Sequence, residues 1–302
     1  LEIAKLLEHL KVDYLGVAFA DEGILLKNGG IKLPIMVLNP ESTSFPSIIQ
    51  YNLEPEIYSV KGLKAFLKIA QEKHLKDFPI HIKLDTGMHR LGFEPHLISE
   101  LCSLLKNNNF VKVKSVFSHL AASDDLQFDD FTKLQFQRFD AMYSELEKVL
   151  PSKPIRHILN TSGIFNYAEK QMEMVRLGIG LYGIGNSEQE LKVLENVSTL
   201  KTIISQIREV APEESIGYSR RFRVTQKMKV ATIPIGYADG IRRAWGNEKG
   251  FVTIHNQKAT ILGSICMDMM MVDVTNISCK AGDEVIVFGK NPKVTEMASV
   301  IG

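Results

Sequence analysis

Four polar clusters follow β-rich apolar runs in the first part of the chain, and each holds residues able to do chemistry. Residues 83–93 read KLDTGMHRLGF and set Lys83 and Arg90 about two glycines. Residues 118–124 carry His119, residues 160–163 carry Thr161, and residues 176–180 place Arg176 beside Gly178 and Ile179. Thr161 and the amides around Gly178 and Ile179 suit a phosphate, because a hydroxyl and bare backbone N–H groups bind phosphate oxygens without a mobile charge. Later in the chain, residues 216–222 carry Tyr218, residues 233–240 carry Tyr237, and residues 263–274 carry Cys266, Met267 and Asp268. Taken singly, each has a plain structural reading: glycines after strands serve turns, a histidine can be a satisfied core residue, and methionines fill gaps. Their joint placement at one end of successive strands argues for a site. From the residues themselves the reading reaches a barrel enzyme with a phosphate-bearing cofactor.

That placement depends on the elements. Up to about residue 190, β-rich runs alternate with segments of helical period, the pattern of repeated βα units around a parallel sheet. The strand candidates are 12–20, 33–38, 56–60, 79–84, 111–118, 155–159 and 174–175, with helices such as 61–74 and 131–150 between them. These seven units point to a (β/α)₈ barrel, in which function sits on the loops after the strands. An open doubly wound sheet is the competing architecture. After about residue 195, short alternating runs follow with no room for helices, at 199–210, 221–225, 229–234, 251–254, 260–265, 270–274 and 284–288, which marks a mainly-β domain. The expected domains are therefore 1–195 and 196–302. The chain opens on LEIAKLLEHL, an amphipathic helix with no cap residue, and closes on the helix-like VTEMASVIG. It reads as a piece of a longer protein with the first barrel strand cut away.

Composition narrows the partners. The chain has 302 residues, 36 Lys+Arg against 35 Asp+Glu, and 45% hydrophobic residues. Near-zero net charge without a basic run argues against nucleic acid or an acidic membrane surface and for a small-molecule ligand. Three cysteines with no CxxC pair offer neither a disulfide framework nor a zinc signature, so no metal site is expected and a cytoplasmic location fits. No run is apolar enough to span a bilayer.

The motifs KLDTGMHRLGF, SHLAASD, HILNTSG, VRLGIGLYG, IGYSRRF, IPIGYADG and ICMDMMMVDVT, in this order and spacing, resemble the successive motifs of the bacterial alanine racemases along essentially the whole chain. The resemblance implies a pyridoxal-phosphate (β/α)₈ barrel followed by a β domain. It also implies a homodimer with shared active sites that interconverts L- and D-alanine for peptidoglycan. On it, Tyr218 matches the tyrosine that exchanges the α-proton on the L-alanine face, Arg176 the arginine facing the pyridine nitrogen, and His119 the histidine linking the two. Arg90 matches an arginine near the substrate carboxylate, and Lys83 a lysine that is carbamylated in several members and steadies that arginine. Thr161, Gly178 and Ile179 match phosphate-binding positions, while Tyr237, Met267 and Asp268 match residues lining the substrate entrance or pocket. The chain departs from the pattern at Thr161-Ser162, where Ser-Ala is usual, at Leu177, usually proline, and at His89, usually glycine. The resemblance places the family's cofactor-binding lysine before Leu1 and a phosphate-binding tyrosine after Gly302, so these residues alone are expected to be inactive. The rival readings are a serine-preferring racemase, a decarboxylase on the same cofactor barrel, and a single-domain cofactor carrier, which has no β domain.

Overall fold

Parallel β-strands hydrogen-bond in strict chain order through the first half of the protein, each reached from the last by a helical crossover. The computed structural model describes residues 1–106 and 108–301. It divides into two compact units, Leu1–Gly178 and Ile179–Gly302.

In the first unit, α1 (Glu2–His9) leads into β1 (Leu15–Val17), α2 (Ala20–Asn28), β2 (Ile35–Val37), α3 (Phe45–Gln50), β3 (Glu54–Ile57) and α4 (Val60–Glu72). There follow β4 (Phe78–Lys83), α5 (Ile98–Leu105), β5 (Val111–Phe117), α6 (Asp129–Glu147), β6 (Ile155–His157) and α7 (Thr161–Asn166). The six strands form one sheet in the order β1 to β6, all parallel where paired. This sheet, with its helices, is the β/α wall expected of a barrel. Helix α4 shows how the sequence sets an element. Ser59 caps it by accepting from the Gly62 N–H at 3.1 Å, and Leu63, Phe66 and Ala70, at spacings of three and four, are fully buried against the sheet.

Two expectations about strands are corrected. Residues 174–175 do not form a seventh strand: Met174 and Arg176 donate N–H bonds to Arg156 O (3.3 Å) and Leu159 O (3.0 Å), but the Glu173 carboxylate takes the Arg156 N–H at 2.8 Å that a ladder would use. The segment lies beside β6 without joining it. The run 199–210 is not one strand either.

The second unit holds α8 (Glu188–Val193), β7 (Leu200–Ile203), β8 (Gln206–Val210), β9 (Ser215–Ile216), β10 (Phe222–Arg223) and β11 (Met228–Ile233). It continues with β12 (Phe251–Ile254), β13 (Gln257–Leu262), β14 (Met270–Asp273), β15 (Glu284–Phe288) and α9 (Val294–Ile301). Its seven-stranded antiparallel sheet runs β7-β15-β12-β13-β14-β11-β8, so the chain breaks at Ile204-Ser205 and sends β7 and β8 to opposite edges. Buried Ile233, Val252, Ile254, Ile261, Val272 and Val285 alternate with outward residues along these strands and make a core of their own. Among the described residues no helix is long and apolar enough to cross a membrane.

Candidate active site

At the carboxyl ends of β4, β5 and β6 the first unit gathers Lys83, His119, Thr161 and Arg176. Arg176 anchors the group. Its Nη1 donates to His157 Nδ1 and to His157 O (3.2 Å), and its Nη2 donates to Ser118 O (2.6 Å) and Ile158 O (3.3 Å). Nη2 also lies 3.3 Å from His119 Nδ1. The guanidinium sits 5.1 Å from the centroid of the Phe117 ring, which stacks on His157 at 4.6 Å. With both terminal nitrogens engaged, Nε–H is left without a hydrogen-bond partner among the described residues, a fixed donor that fits an acceptor carrying no proton of its own. Burial pulls Arg176 down to about 10, still well above neutrality, so it remains a cation.

His119 can only accept from the guanidinium, so Nδ1 is bare and Nε2 carries the proton. Burial, then the charges of Arg176, Arg90 and Lys83, push it down to about 3, and the ring is neutral at any working pH. Its loop is set by Gln135, fully buried on α6, which donates to His119 O (3.1 Å) and Thr86 Oγ1 (3.2 Å) and accepts from the Ala121 N–H at 2.9 Å. Ser118 Oγ donates to Leu84 O at 2.8 Å and lies 2.8 Å from Thr86 Oγ1, which ties the end of β5 to the end of β4.

The loop after β4 is shaped by glycine. Gly92 has φ +135°, and a Cβ there would lie 2.5 Å from Asp85 N, while Phe93 N and O bond back to Lys83 O (2.8 Å) and Asp85 N (2.9 Å). His89, which stands where the resembling motif has glycine, adopts φ 53°, a left-handed conformation that favours glycine. Asp85 offsets the strain: it accepts the His89 N–H at 3.1 Å and pairs with the ring at 3.2 Å. Arg90, next in the chain, is exposed.

Beneath this loop lies a group the motifs did not reveal. Glu56 on β3 is fully buried, with Lys83 Nζ 3.1 Å from Oε1, and neither carboxylate oxygen has a well-formed hydrogen bond among the described residues. Burial raises Glu56 to about 7 against the pull of Lys83, Arg176 and Arg90, and burial lowers Lys83 against the pull of Glu56. The strand register brings it there. Glu54 and Glu56, His81 and Lys83, and Ser115 and Phe117 are i, i+2 pairs on neighbouring parallel strands, so each pair shares a face and stacks in layers with the next.

Thr161 opens α7, whose cap residue Asn160 accepts from the Gly163 N–H at 2.9 Å. The Gly178 N–H donates to Thr161 Oγ1 at 3.2 Å, which joins the two positions; Thr161 is buried, and a Cβ at Gly178 would meet nothing, so the space beside Gly178 is open. Ile179, the next residue, begins the second unit and is exposed.

In the second unit the turn Tyr237–Asp239 packs on the 266–267 loop. Tyr237 N donates to Cys266 O (3.0 Å) and Ala238 N to Met267 O (2.9 Å), and a Cβ at Gly236 would lie 2.3 Å from Met267 O. Tyr237, Met267 and Asp268 are thereby brought together, all exposed. Tyr218 follows Gly217, whose φ is +75°, and is 69% exposed.

Comparison with known proteins places this geometry. The family model described as alanine racemase, N-terminal domain, matches residues 1–186, and alanine racemase, C-terminal domain, matches residues 197–302. The alanine racemase of Clostridium tetani is 38% identical over 310 residues, spanning 100% of this chain and 79% of the relative. A solved alanine racemase of Clostridium difficile 630 in complex with cycloserine superposes with a TM-score of 0.88 at 32% identity, covering 100% of this chain and 79% of that one. The alanine racemase of Bartonella henselae with covalently bound pyridoxal phosphate does so with a TM-score of 0.88 at 27% identity, covering 99% and 82%.

Proposed function

The chain belongs to the alanine racemase family, and from that premise we propose that its residues divide the work of interconverting L- and D-alanine on pyridoxal phosphate. When bound, the cofactor supplies an electron sink that acidifies the α-C–H of the amino acid. Arg176 would face the ring nitrogen, and the observation that carries this reading is its Nε–H, left without a partner among the described residues on an otherwise engaged guanidinium. A group that stays protonated donates a hydrogen bond without giving up the proton, which leaves the ring nitrogen neutral and the sink moderate. Thr161, Gly178 and Ile179 hold the phosphate, and Arg90, steadied by Lys83, takes the substrate carboxylate.

Tyr218 moves the α-proton on the L-alanine face, and His119 links it to Arg176 as a neutral imidazole. Tyr237, Met267 and Asp268 line the entrance. The protein works as a cytoplasmic homodimer in which Tyr218 and Met267 enter the partner's pocket, because a two-fold axis makes two equivalent sites from one patch and its copy. D-alanine for peptidoglycan is its product.

The full-length gene product should be assayed with L-alanine, L-serine and ornithine. Racemisation of alanine above serine with no decarboxylation of ornithine is the expected result, and ornithine decarboxylation would overturn the reading. Within it, Tyr218→Phe slows solvent deuterium exchange into L-alanine far more than into D-alanine. Equal, small effects on both enantiomers would assign Tyr218 to packing.

A further inference from the structure

A line of hydrogen bonds runs inside the first unit from Tyr14 to Arg176, crossing four strands. Tyr14 Oη donates to Glu54 Oε2 at 3.2 Å, Glu54 Oε2 lies 2.8 Å from His81 Nε2, and His81 Nδ1 lies 2.6 Å from Ser115 Oγ. Ser115 Oγ lies 2.9 Å from His157 Nε2, and His157 Nδ1 meets the Arg176 guanidinium. His81, Ser115 and His157 are completely buried, on β4, β5 and β6, and the carboxylate comes from β3.

The proton positions along this line follow from one fact. A guanidinium has only donors, so His157 Nδ1 must accept and the ring proton sits on Nε2. His157 Nε2–H then donates to Ser115 Oγ, which frees the Ser115 hydroxyl proton for His81 Nδ1. His81 in turn carries its proton on Nε2 and donates to Glu54. Every link has one direction, both rings are neutral, and the line ends on a carboxylate, the acceptor best suited to terminate it. Burial lowers His81 and, together with Arg176, holds His157 well below the usual histidine value; Glu54 raises His81 and Lys114 opposes it. Both neutral rings agree with the bonding pattern.

We propose that Glu54, His81 and Ser115 are positioning residues for Arg176: they fix the only tautomer of His157 that can accept from the guanidinium, and so aim its Nε–H. The catalytic half of this rests on the role given to Arg176 above. The bonding half does not. Without Ser115 Oγ, His157 loses the acceptor that holds its proton on Nε2, and the proton can move to Nδ1, where it faces a donor. Arg176 must then swing away from His157, and a misplacement of about 1 Å costs up to about a hundredfold in rate.

The test uses the full-length protein labelled with ¹⁵N-histidine and ¹⁵N-arginine, with and without pyridoxal phosphate. His81 and His157 are expected to give a pyridine-like Nδ1 and a pyrrole-like Nε2 across the range in which the fold survives, in both forms of the protein. In Ser115→Ala the His157 pattern and the Arg176 Nε–H signal change, and kcat for alanine falls by about tenfold with KM nearly unchanged. Ser115→Thr, which keeps the hydroxyl, restores both. Glu54→Gln, at the outer end of the line, disturbs the His81 signal first. A proton on Nδ1 of either ring in the unsubstituted protein overturns the proposal. So does a Ser115→Ala protein whose His157 signals and kcat are those of the parent. Loss of the racemase reading itself would show as no alanine turnover in the unsubstituted protein, while the histidine signals still decide the line.

Discussion

Glu56→Gln separates the charge of the buried carboxyl from its shape. Glu56 is fully buried, and burial lifts it from 4.5 to about 7. The folded chain therefore holds this proton more tightly than the unfolded chain does. The resulting stabilisation is complete below the unfolded value and is lost as pH rises through the folded one. At about 1.4 kcal/mol for each pKa unit, the gap from 4.5 to about 7 corresponds to about 3 kcal/mol lost across that window. Glutamine matches the protonated acid in shape and does not titrate, so the variant lacks this slope. Removing the carboxyl also removes the charge that helps Lys83 keep its proton. A buried lysine pulled further down destabilises the fold at low pH and relents as pH rises, which tilts the variant the opposite way. Urea unfolding followed by far-UV circular dichroism, to which α1–α7 contribute most of the helix, measures both proteins from about pH 5 to about pH 8. The unsubstituted protein should lose stability relative to the variant by about 2–3 kcal/mol over that range. Parallel curves would refute the argument, because they would mean that Glu56 titrates alike in the folded and unfolded chains.

Gly92→Ala drives a Cβ to 2.5 Å from Asp85 N at φ +135°, so it should cost about 2–3 kcal/mol in thermal or urea unfolding and loosen the loop that carries Arg90. His119, pushed down to about 3, is already neutral where the enzyme works, so His119→Gln should lower the kcat/KM plateau and leave the acidic limb of its pH profile in place; disappearance of that limb would show that His119 itself titrates there. On the proposed shared-site dimer, Arg176→Ala and Tyr218→Ala should each abolish turnover and, co-expressed, should recover part of it, because a mixed dimer would have one pocket bearing both lesions and one intact. A mixture that stays dead would place Arg176 and Tyr218 of each pocket on the same subunit.

The layout of the first unit was legible because its signal is local. Apolar runs alternate with capped, amphipathic helices, and α4 announces both its cap at Ser59 and its buried stripe. Residues 174–175 misled for a reason equally local: the segment is apolar enough for a strand, but Glu173 competes for the Arg156 amide. Lys83, His119, Thr161 and Arg176, which the fold gathers at the ends of β4 to β6, stand out in the sequence because glycines and charges together after an apolar run are conspicuous. Glu54, Glu56, His81, Ser115 and His157 were not singled out, because a polar residue inside a short strand looks like the solvent face of an alternating one. Only the register of β3 to β6 turns those positions into one buried, connected set.

That set also explains how Arg176 can remain a cation among others. Arg90 brings like charge toward it, Arg176 in turn lowers Lys83, and burial alone already weakens the hold of Arg176 on its proton. Glu56 is the carboxylate that opposes them, and its charge raises both Arg176 and Lys83. At the other end, His157 presents a lone pair to the guanidinium because the line through Ser115 and His81 ends on Glu54. One carboxylate thus acts on Arg176 through space and another through bonds. Arg90 is the exposed cation of this group and Lys83 the buried one, and a neutral His119 beside Arg176 adds no further charge.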